Sequence, residues 1–387
     1  MNELDAILST WRTEPDAARG GVLATVVHVK GSAYRRPGAR MLILPDGRRI
    51  GTVSGGCLES DVSKKAWWFT EGGKPAVRAY DTSSDDDAVW EFGLGCNGVV
   101  QVLFERMENL QTQDLLHFLN TNRGLRRGAV VATVVAASRA SRAQTGERLL
   151  LEAGGVRGGS LRGTPLEAEI LAQTPECFLQ QKSCLAHLAD CDIFIEWIGA
   201  PAPLVVFGAG HDAIPLVKFA KELGWHVTVA DGRAHYAQAS RFPDADRVIL
   251  LGREDVLAGI EITRESIVVL MTHNYPMDVK LVERILRRKP RYLGLLGPKT
   301  RSEKLLAEAG QSAHGVDVHA PVGLDLGSDM PESIALSIVA EIQASLCGRQ
   351  GGMLKRRDGA IHAPAEETGR AAETVATVSE TAVCELA

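Results

Sequence analysis

The chain has 387 residues, more than one ordinary hydrophobic core accommodates, so two or more domains are expected. Apolar residues make up 45% and charged residues 24%, and the formal net charge is -5, a balance that suits a globular protein and excludes a nucleic-acid or membrane-surface partner. No apolar run approaches the roughly 20 residues of a spanning helix, and Met1-Asn-Glu-Leu-Asp5 lacks the start of a signal peptide. A cytoplasmic location with seven reduced cysteines is therefore expected.

Leu4, Ile7, Leu8 and Trp11 recur at helical spacing, which predicts a short amphipathic helix within residues 2–19. Residues 22–29 are β-branched and read as a strand, and 31–38 as a loop carrying Tyr34, Arg35 and Arg36. Residues 40–44 and 48–53 read as strands joined at the turn Pro45-Asp-Gly47. Ser54-Gly-Gly-Cys57 then leads into a helix over 58–69. Residues 81–87 form an acidic loop, and Gly93-Leu-Gly-Cys-Asn-Gly98 feeds a strand over 99–105. A helix over 109–124 and strands over 129–136, 147–151 and 193–197 complete this part. No convincing internal repeat stands out. Residues 1–200 thus read as an α+β domain with antiparallel strands.

From Pro203 the pattern alternates. Strands are predicted over 204–207, 225–230, 247–250, 266–271 and 292–295, with helices around 212–223, 278–288 and 299–309. Such alternation implies an α/β, Rossmann-like doubly wound parallel sheet over 201–350. A last helix covers 331–346, with Asp329 and Glu332 as its capping box and Ile334, Ile338, Ile342 and Leu346 as its apolar stripe. Residues 351–387 have little periodicity and read as a disordered tail.

The densest motif is Val206-Phe-Gly-Ala-Gly-His-Asp-Ala213 between a strand and a helix, with Asp231 ending the next strand. Gly208 permits a tight turn, Gly210 lets a phosphate approach the backbone, and Ala213 lets the helix pack on the strand. The helix N-terminus offers free N–H groups to an anion. Asp231 stands where a ribose hydroxyl would be read, and Arg233 leaves room for a 2′-phosphate. Ligands of open parallel sheets bind at the carboxyl ends of the strands. His211, His273, Asn274, Gly297, Lys299 and Arg301 all fall there. Lys299 and Arg301 oppose the dipole of the helix they begin, a cost that favours a bound anion.

Cys57 sits near a helix N-terminus, where a thiolate is stabilised, with Gly55 and Gly56 opening the backbone and Glu59 in the same first turn. This segment alone supports a reactive thiol and an inert packing residue equally. Cys96 lies in a turn rich in glycine and could line a site, although a small residue in a crowded turn accounts for it as well. Cys177, Cys184 and Cys191 are spaced by seven, which suits core packing on a helix, and without a Cys-x-x-Cys pair a structural zinc is not expected.

These blocks together resemble the XdhC/CoxI family of xanthine dehydrogenase accessory factors. The resemblance rests on Ser54-Gly-Gly-Cys-Leu-Glu59, Gly93-Leu-Gly-Cys-Asn-Gly98, Val206-Phe-Gly-Ala-Gly-His211, Met271-Thr-His273, Tyr292-Leu-Gly-Leu-Leu-Gly297 and Ala320-Pro-Val-Gly-Leu-Asp-Leu-Gly327. It departs from the family at Asn97, where glycine is more frequent, and at Asp212-Ala213, where the family often has Val-Gly. It implies an accessory chaperone more than a catalyst. Such a protein binds and protects the molybdenum cofactor (molybdopterin or its dinucleotide form), supports its sulfuration by a cysteine desulfurase, and inserts it into a molybdenum hydroxylase apoenzyme. It also implies a homodimer. On this reading phosphates sit at Gly208 and Gly210 or at Gly55 and Gly56, and Cys57, with Cys96, faces the metal or relays sulfur. Two other functions suit parts of the chain. One is an NAD(P)-dependent oxidoreductase with His273 as acid and base. The other is a scaffold that only docks partner proteins.

Overall fold

A computed structural model describes residues 2–31, 33–81, 98–252, 254–309, 315–327 and 329–356. Cys96, its turn as far as residue 97, residues 82–87 of the expected acidic loop and most of the expected tail lie outside the described residues. The first part of the tail, 351–356, is exposed and ends in a short turn at Leu354–Arg356. No helix among the described residues is long and apolar enough to cross a membrane.

The chain begins with α1 (Glu3–Thr13) and α2 (Pro15–Arg19). The Asn2 side chain caps α1 by accepting from the Asp5 N–H, and Ile7 and Leu8 are its buried face. A five-stranded sheet follows, built from β1 (Val22–Gly31), β2 (Arg40–Ile43), β3 (Arg49–Gly51), β4 (Ala76–Asp81) and β5 (Gly98–Arg106), in the order β3-β2-β1-β5-β4. Helix α3 (Glu59–Phe69) connects β3 to β4, and α4 (Leu110–Gly124) leads to the next sheet. That sheet comprises β6 (Ala129–Ala137), β7 (Arg148–Glu152), β8 (Gly155–Gly158), β9 (Cys184–Leu188) and β10 (Cys191–Ile198), with α5 (Pro165–Gln180) between β8 and β9. Its order is β8-β7-β6-β10-β9. The pairings given for both sheets are antiparallel, as expected.

The two sheets have the same strand order, with a helix at the same place in each. This overturns the expectation of no internal repeat. Alternation along the strands then places the core. Leu23 and Val27 of β1 turn one way, with Val131 and Val135 of β6, into clusters shared by both sheets. Val22, Ala24 and Val26 turn the other way onto Val62 and Ala66 of α3. Val130, Ala132 and Val134 likewise pack against Leu166, Ile170 and Cys177 of α5. The layers are therefore helix, sheet, sheet, helix. Strands β4, β8 and β9 and helix α5 have no counterpart among the predicted elements. The three evenly spaced cysteines do not share a helix: buried Cys177 lies on α5, exposed Cys184 on β9 and buried Cys191 on β10.

The third sheet contains β11 (Pro203–Phe207), β12 (His226–Asp231), β13 (Arg247–Leu250), β14 (Ile267–Leu270), β15 (Tyr292–Leu295) and β16 (Asp317–His319). Its order is β13-β12-β11-β14-β15-β16, that of a doubly wound nucleotide-binding sheet. Strands β14, β15 and β16 pair in parallel. The helices are α6 (Ala213–Glu222), α7 (Tyr275–Arg288), α8 (Lys299–Glu308) and α9 (Pro331–Leu346). Helix α7 buries Leu281, Val282, Ile285 and Leu286 on one stripe. The cap of α9 differs from expectation. Met330 is the N-cap, Pro331 opens the helix, and the Ser333 hydroxyl accepts the Met330 N–H at 3.2 Å. Short β16, with three residues, was not predicted.

By contacts the chain forms two compact units. One holds Met1–Val205, Val217–Ala230 and Ala237–Leu250, and the other Val206–Leu216, Asp231–Tyr236 and the chain from Leu251 onward.

Candidate functional site

In the first unit, Ser54-Gly-Gly-Cys57 is wrapped around one carboxylate. Glu59 is 6% exposed. It accepts from the backbone N–H groups of Val53 (3.1 Å), Ser54 (2.8 Å), Gly55 (3.1 Å) and Gly56 (2.8 Å), and from the Ser54 hydroxyl at 2.6 Å. Burial alone would push the carboxyl up, but the Ser54 hydroxyl and the backbone donors outweigh it and hold it at about 2. Glu59 is therefore a fixed anion that shapes the loop, and its geometry does not equip it to exchange protons near neutrality. The N–H groups of Gly55 and Gly56 already have this partner, so an incoming phosphate would compete with Glu59 for them.

Both glycines have left-handed φ, +104° and +126°. At Gly55 a Cβ would meet the Tyr34 ring at 2.5 Å, so Tyr34 lies directly on the loop. At Gly56 a Cβ would meet nothing within 4 Å, which leaves that side open to a ligand. Cys57, half-buried, follows just before the N-cap of α3. Among the described residues no three His, Cys, Asp or Glu side chains converge to hold a metal. Cys57 could thus add one soft ligand to a metal that brings its other ligands with it.

The second unit gathers the remaining expected residues at the carboxyl ends of the parallel strands. Gly208 has φ +112°, and a Cβ there would come within 2.3 Å of the Met271 carbonyl oxygen, so only glycine fits. The Ala209 N–H donates to Asp231 at 2.8 Å, which ties the turn after β11 to the end of β12. Asp231 also accepts from the Arg233 backbone N–H (2.8 Å) and from its guanidinium (3.0 and 2.8 Å). Burial alone would raise the Asp231 carboxyl; Arg233 and the Ala209 N–H outweigh it and hold it below the usual carboxylate range. Arg233 also stacks on Tyr236, 4.0 Å from the ring centre. Both oxygens of Asp231 are engaged within the fold, so the acid expected to read a ribose is committed to organising the turn.

The N–H groups of Gly210 and His211, just before α6, have no partner among the described residues. His211 is exposed. Asp212 accepts from His273 Nε2 at 3.0 Å, and its other oxygen lies close above Gly210. His273 itself has φ +56°. Asn274 caps α7 by accepting from the Met277 N–H at 3.2 Å. Buried Asp278 accepts from the Thr272 hydroxyl and from Arg301 at 2.8 Å. Arg301 also lies 5.1 Å from the centre of the Tyr275 ring and passes beside Gly297. Lys299 is exposed and 4.0 Å from Glu303. Of the two expected cations, Lys299 alone is loosely held.

The structure thus brings Gly208, Gly210, His211, Asp231, Arg233 and His273 into one constellation. Asp212 and Asp278, which the sequence also places at the strand ends, join them, and Ser54 and Tyr275, to which sequence reasoning gave no role, complete the two sites. A cavity of about 690 Å³ in the first unit, lined by Arg12, Arg123, Lys218 and His226 among others, contains none of the expected site residues.

Fold and site define a two-part protein: a paired-sheet region with a thiol-bearing loop, and a Rossmann-type region with a glycine turn between strand and helix. Residues 204–342 match the XdhC Rossmann domain, and residues 16–81 and 124–188 match the XdhC and CoxI family. The chain is 34% identical over 325 residues to a probable xanthine dehydrogenase subunit of Bacillus subtilis strain 168, covering 83% of this chain and 92% of that protein. It is 23% identical over 331 residues to the molybdenum cofactor insertion chaperone PaoD of Escherichia coli K12, covering 84% and 83%. It also resembles the crystal structure of a xanthine dehydrogenase from Bacillus halodurans, with a TM-score of 0.75 and 30% identity, over 92% of this chain and 98% of that one. The chain belongs to the XdhC and CoxI family.

Proposed function

We propose that this protein is a maturation factor that takes the molybdenum cofactor as cargo and delivers it to a xanthine-dehydrogenase-type molybdenum hydroxylase. In this reading it protects the cofactor, supports its sulfuration by a cysteine desulfurase, and works as a cytoplasmic homodimer. The observation that carries the reading is the alignment of 84% of this chain with a molybdenum cofactor insertion chaperone.

The chemistry of the residues fits that cargo. A pterin phosphate, mono- or dinucleotide, finds donors in the N–H groups of Gly210 and His211 and a cation in Lys299. In the first unit, taken by itself, Cys57 beside the open space at Gly56 is a thiol that suits a soft metal. Cys57 in this role contacts molybdenum or relays sulfur, and Cys96 is its candidate second thiol. The NAD(P)-dependent alternative is less well supported, because Asp231 has no oxygen left for a ribose hydroxyl.

The test is the ligand content of the purified protein, by metal analysis and pterin fluorescence, in parallel with NAD(H) titration. Retained molybdopterin without nicotinamide binding is expected. Nicotinamide binding with stereospecific hydride transfer and no pterin would overturn the proposal. A Cys57→Ala protein that still yields a fully sulfurated, active partner enzyme would remove Cys57 from it.

A further inference from the structure

The two sheets of the first unit share more than strand order. Residues 20–59 and 128–167 align without a gap at a constant spacing of 108. Val22-Leu-Ala-Thr-Val-Val27 faces Val130-Val-Ala-Thr-Val-Val135, and Gly38, Arg40, Gly51, Gly55 and Glu59 fall on Gly146, Arg148, Gly159, Gly163 and Glu167. The XdhC and CoxI family match also falls twice, from residue 16 and from residue 124. The pairing registers agree: Thr25 opposes Arg40 as Thr133 opposes Arg148, and Leu23 opposes Glu105 as Val131 opposes Glu196.

The buried charges make the relation reciprocal. Arg40 of the first copy pairs with Glu196 of the second, and Arg148 of the second pairs with Glu105 of the first. All four side chains are nearly inaccessible. This is the crossed pattern of a two-fold interface, here within one chain.

Against this common frame, the copies differ at the β2–β3 turn, where Pro45 and Asp46 become Ala153 and Gly154, and at the thiol-bearing loop. Tyr34 becomes Arg142, Ser54 becomes Arg162, Gly56 becomes Thr164 and Cys57 becomes Pro165. Glu167 still accepts the Gly163 N–H at 2.6 Å, so the turn survives without its thiol. Among the described residues nothing lies on Gly163 as Tyr34 lies on Gly55. Arg40 and Glu59 recur as Arg148 and Glu167 in the buried pairs and the turn, whereas Tyr34 and Cys57 have no counterpart in the second copy, which keeps its sheet and turn without them.

We infer that residues 20–106 and 128–198 are two copies of one unit, and that the second has become a brace whose Glu196 is a positioning residue for the Tyr34–Cys57 end of the first. Glu196 grips Arg40 bidentately, with Nη1 to Oε1 at 2.7 Å, and Arg40 Nη1 donates to the Gly38 carbonyl at 3.0 Å. A Cβ at Gly38 would meet Glu196 Oε1 at 2.8 Å, so the carboxylate abuts the loop that returns from Tyr34. From Gly38, held by Arg40 and abutting Glu196, the loop leads back along the chain to Tyr34, whose ring lies on the Gly55 backbone. The inference rests on the reading of the Cys57 loop as the working end.

The test uses the symmetry as its own control. The full chain is prepared as wild type, Glu196→Gln and Glu105→Gln, and the alkylation rate of Cys57 by iodoacetamide is followed by mass spectrometry. Both variants break an equivalent buried pair, so both lose stability. In Glu196→Gln, Cys57 is expected to react about threefold faster or more, a modest effect for coupling through packed side chains. In Glu105→Gln the rate stays at the wild-type value. Equal rates in the two variants, whether changed or unchanged, would overturn the inference. If Glu196→Gln does not fold, Arg40→Lys and Arg148→Lys make the same comparison. Alkylation needs no cofactor, so this result stands apart from the pterin assay.

Discussion

Replacing Glu59 with Gln keeps the side-chain shape and removes the charge that five donors converge on. Gln has one acceptor oxygen, and its amide group would point N–H toward N–H. The wild-type carboxyl is held at about 2, against an ordinary 4.5. At about 1.4 kcal/mol per pH unit, the difference contributes about 3 kcal/mol of folding free energy at neutral pH. Because the folded value is depressed, that contribution is present above about 4.5 and is lost as pH falls toward 2. Urea unfolding followed by far-UV circular dichroism should therefore find Glu59→Gln less stable by about 3 kcal/mol at pH 7. The deficit should roughly halve by pH 3. Glu167→Gln, which loses the bond from Gly163 in the second copy, should cost about 1 kcal/mol or less. A Glu59→Gln deficit below about 0.5 kcal/mol, or one that does not change between pH 7 and pH 3, would refute the reasoning.

Other consequences are open to measurement. Gly208→Ala drives a methyl group onto the Met271 carbonyl at a left-handed φ and should cost about 3 kcal/mol or more; a thermal midpoint near that of wild type would count against the turn geometry. Asp212 holds a carboxylate beside Gly210, so if the glycine turn takes a phosphate as proposed, Asp212→Asn should tighten pyrophosphate binding about three- to tenfold by calorimetry; unchanged binding would place the phosphate elsewhere. His319 lies between Asp317 and Glu341, at 3.0 and 3.2 Å. Burial alone would lower its pKa, but the two carboxylates outweigh it and raise it. Its stabilisation is then complete below the ordinary histidine value of about 6.5 and is lost as pH rises through the higher folded value. Thermal midpoints across that range should fall less steeply for Glu341→Gln than for wild type, and parallel slopes would refute the assignment.

Much of the fold was legible because strong local patterns coincide with long-range ones. Strand β15 occupies the predicted residues, and α9 spans Pro331–Leu346 as its apolar stripe requires. Strands β4, β8, β9 and β16 escaped because they are short and largely exposed at sheet edges, where alternation is weak. Helix α5 carries Pro175 within it, which masks its period. The repeat was present in the sequence as two runs 108 residues apart. It was hidden because connections of different length separate β4 from β5 and β9 from β10.

The sequence by itself determined the family, the succession of antiparallel and parallel parts, and the glycines that a turn or a close approach requires. Those properties depend on neighbours along the chain: spacing, β-branching and the missing Cβ. Only the tertiary structure decided what the charged groups do. In sequence, Glu59 is a candidate functional neighbour of Cys57 in one helical turn, and Asp231 a candidate ribose acceptor. In the fold each carboxylate is surrounded by its own donors and acts as an internal anion. Glu196 and Arg40, 156 positions apart, carry no mark of partnership in the chain. The role of a buried charge is set by which partner satisfies it, and that partner is brought near by packing rather than by sequence.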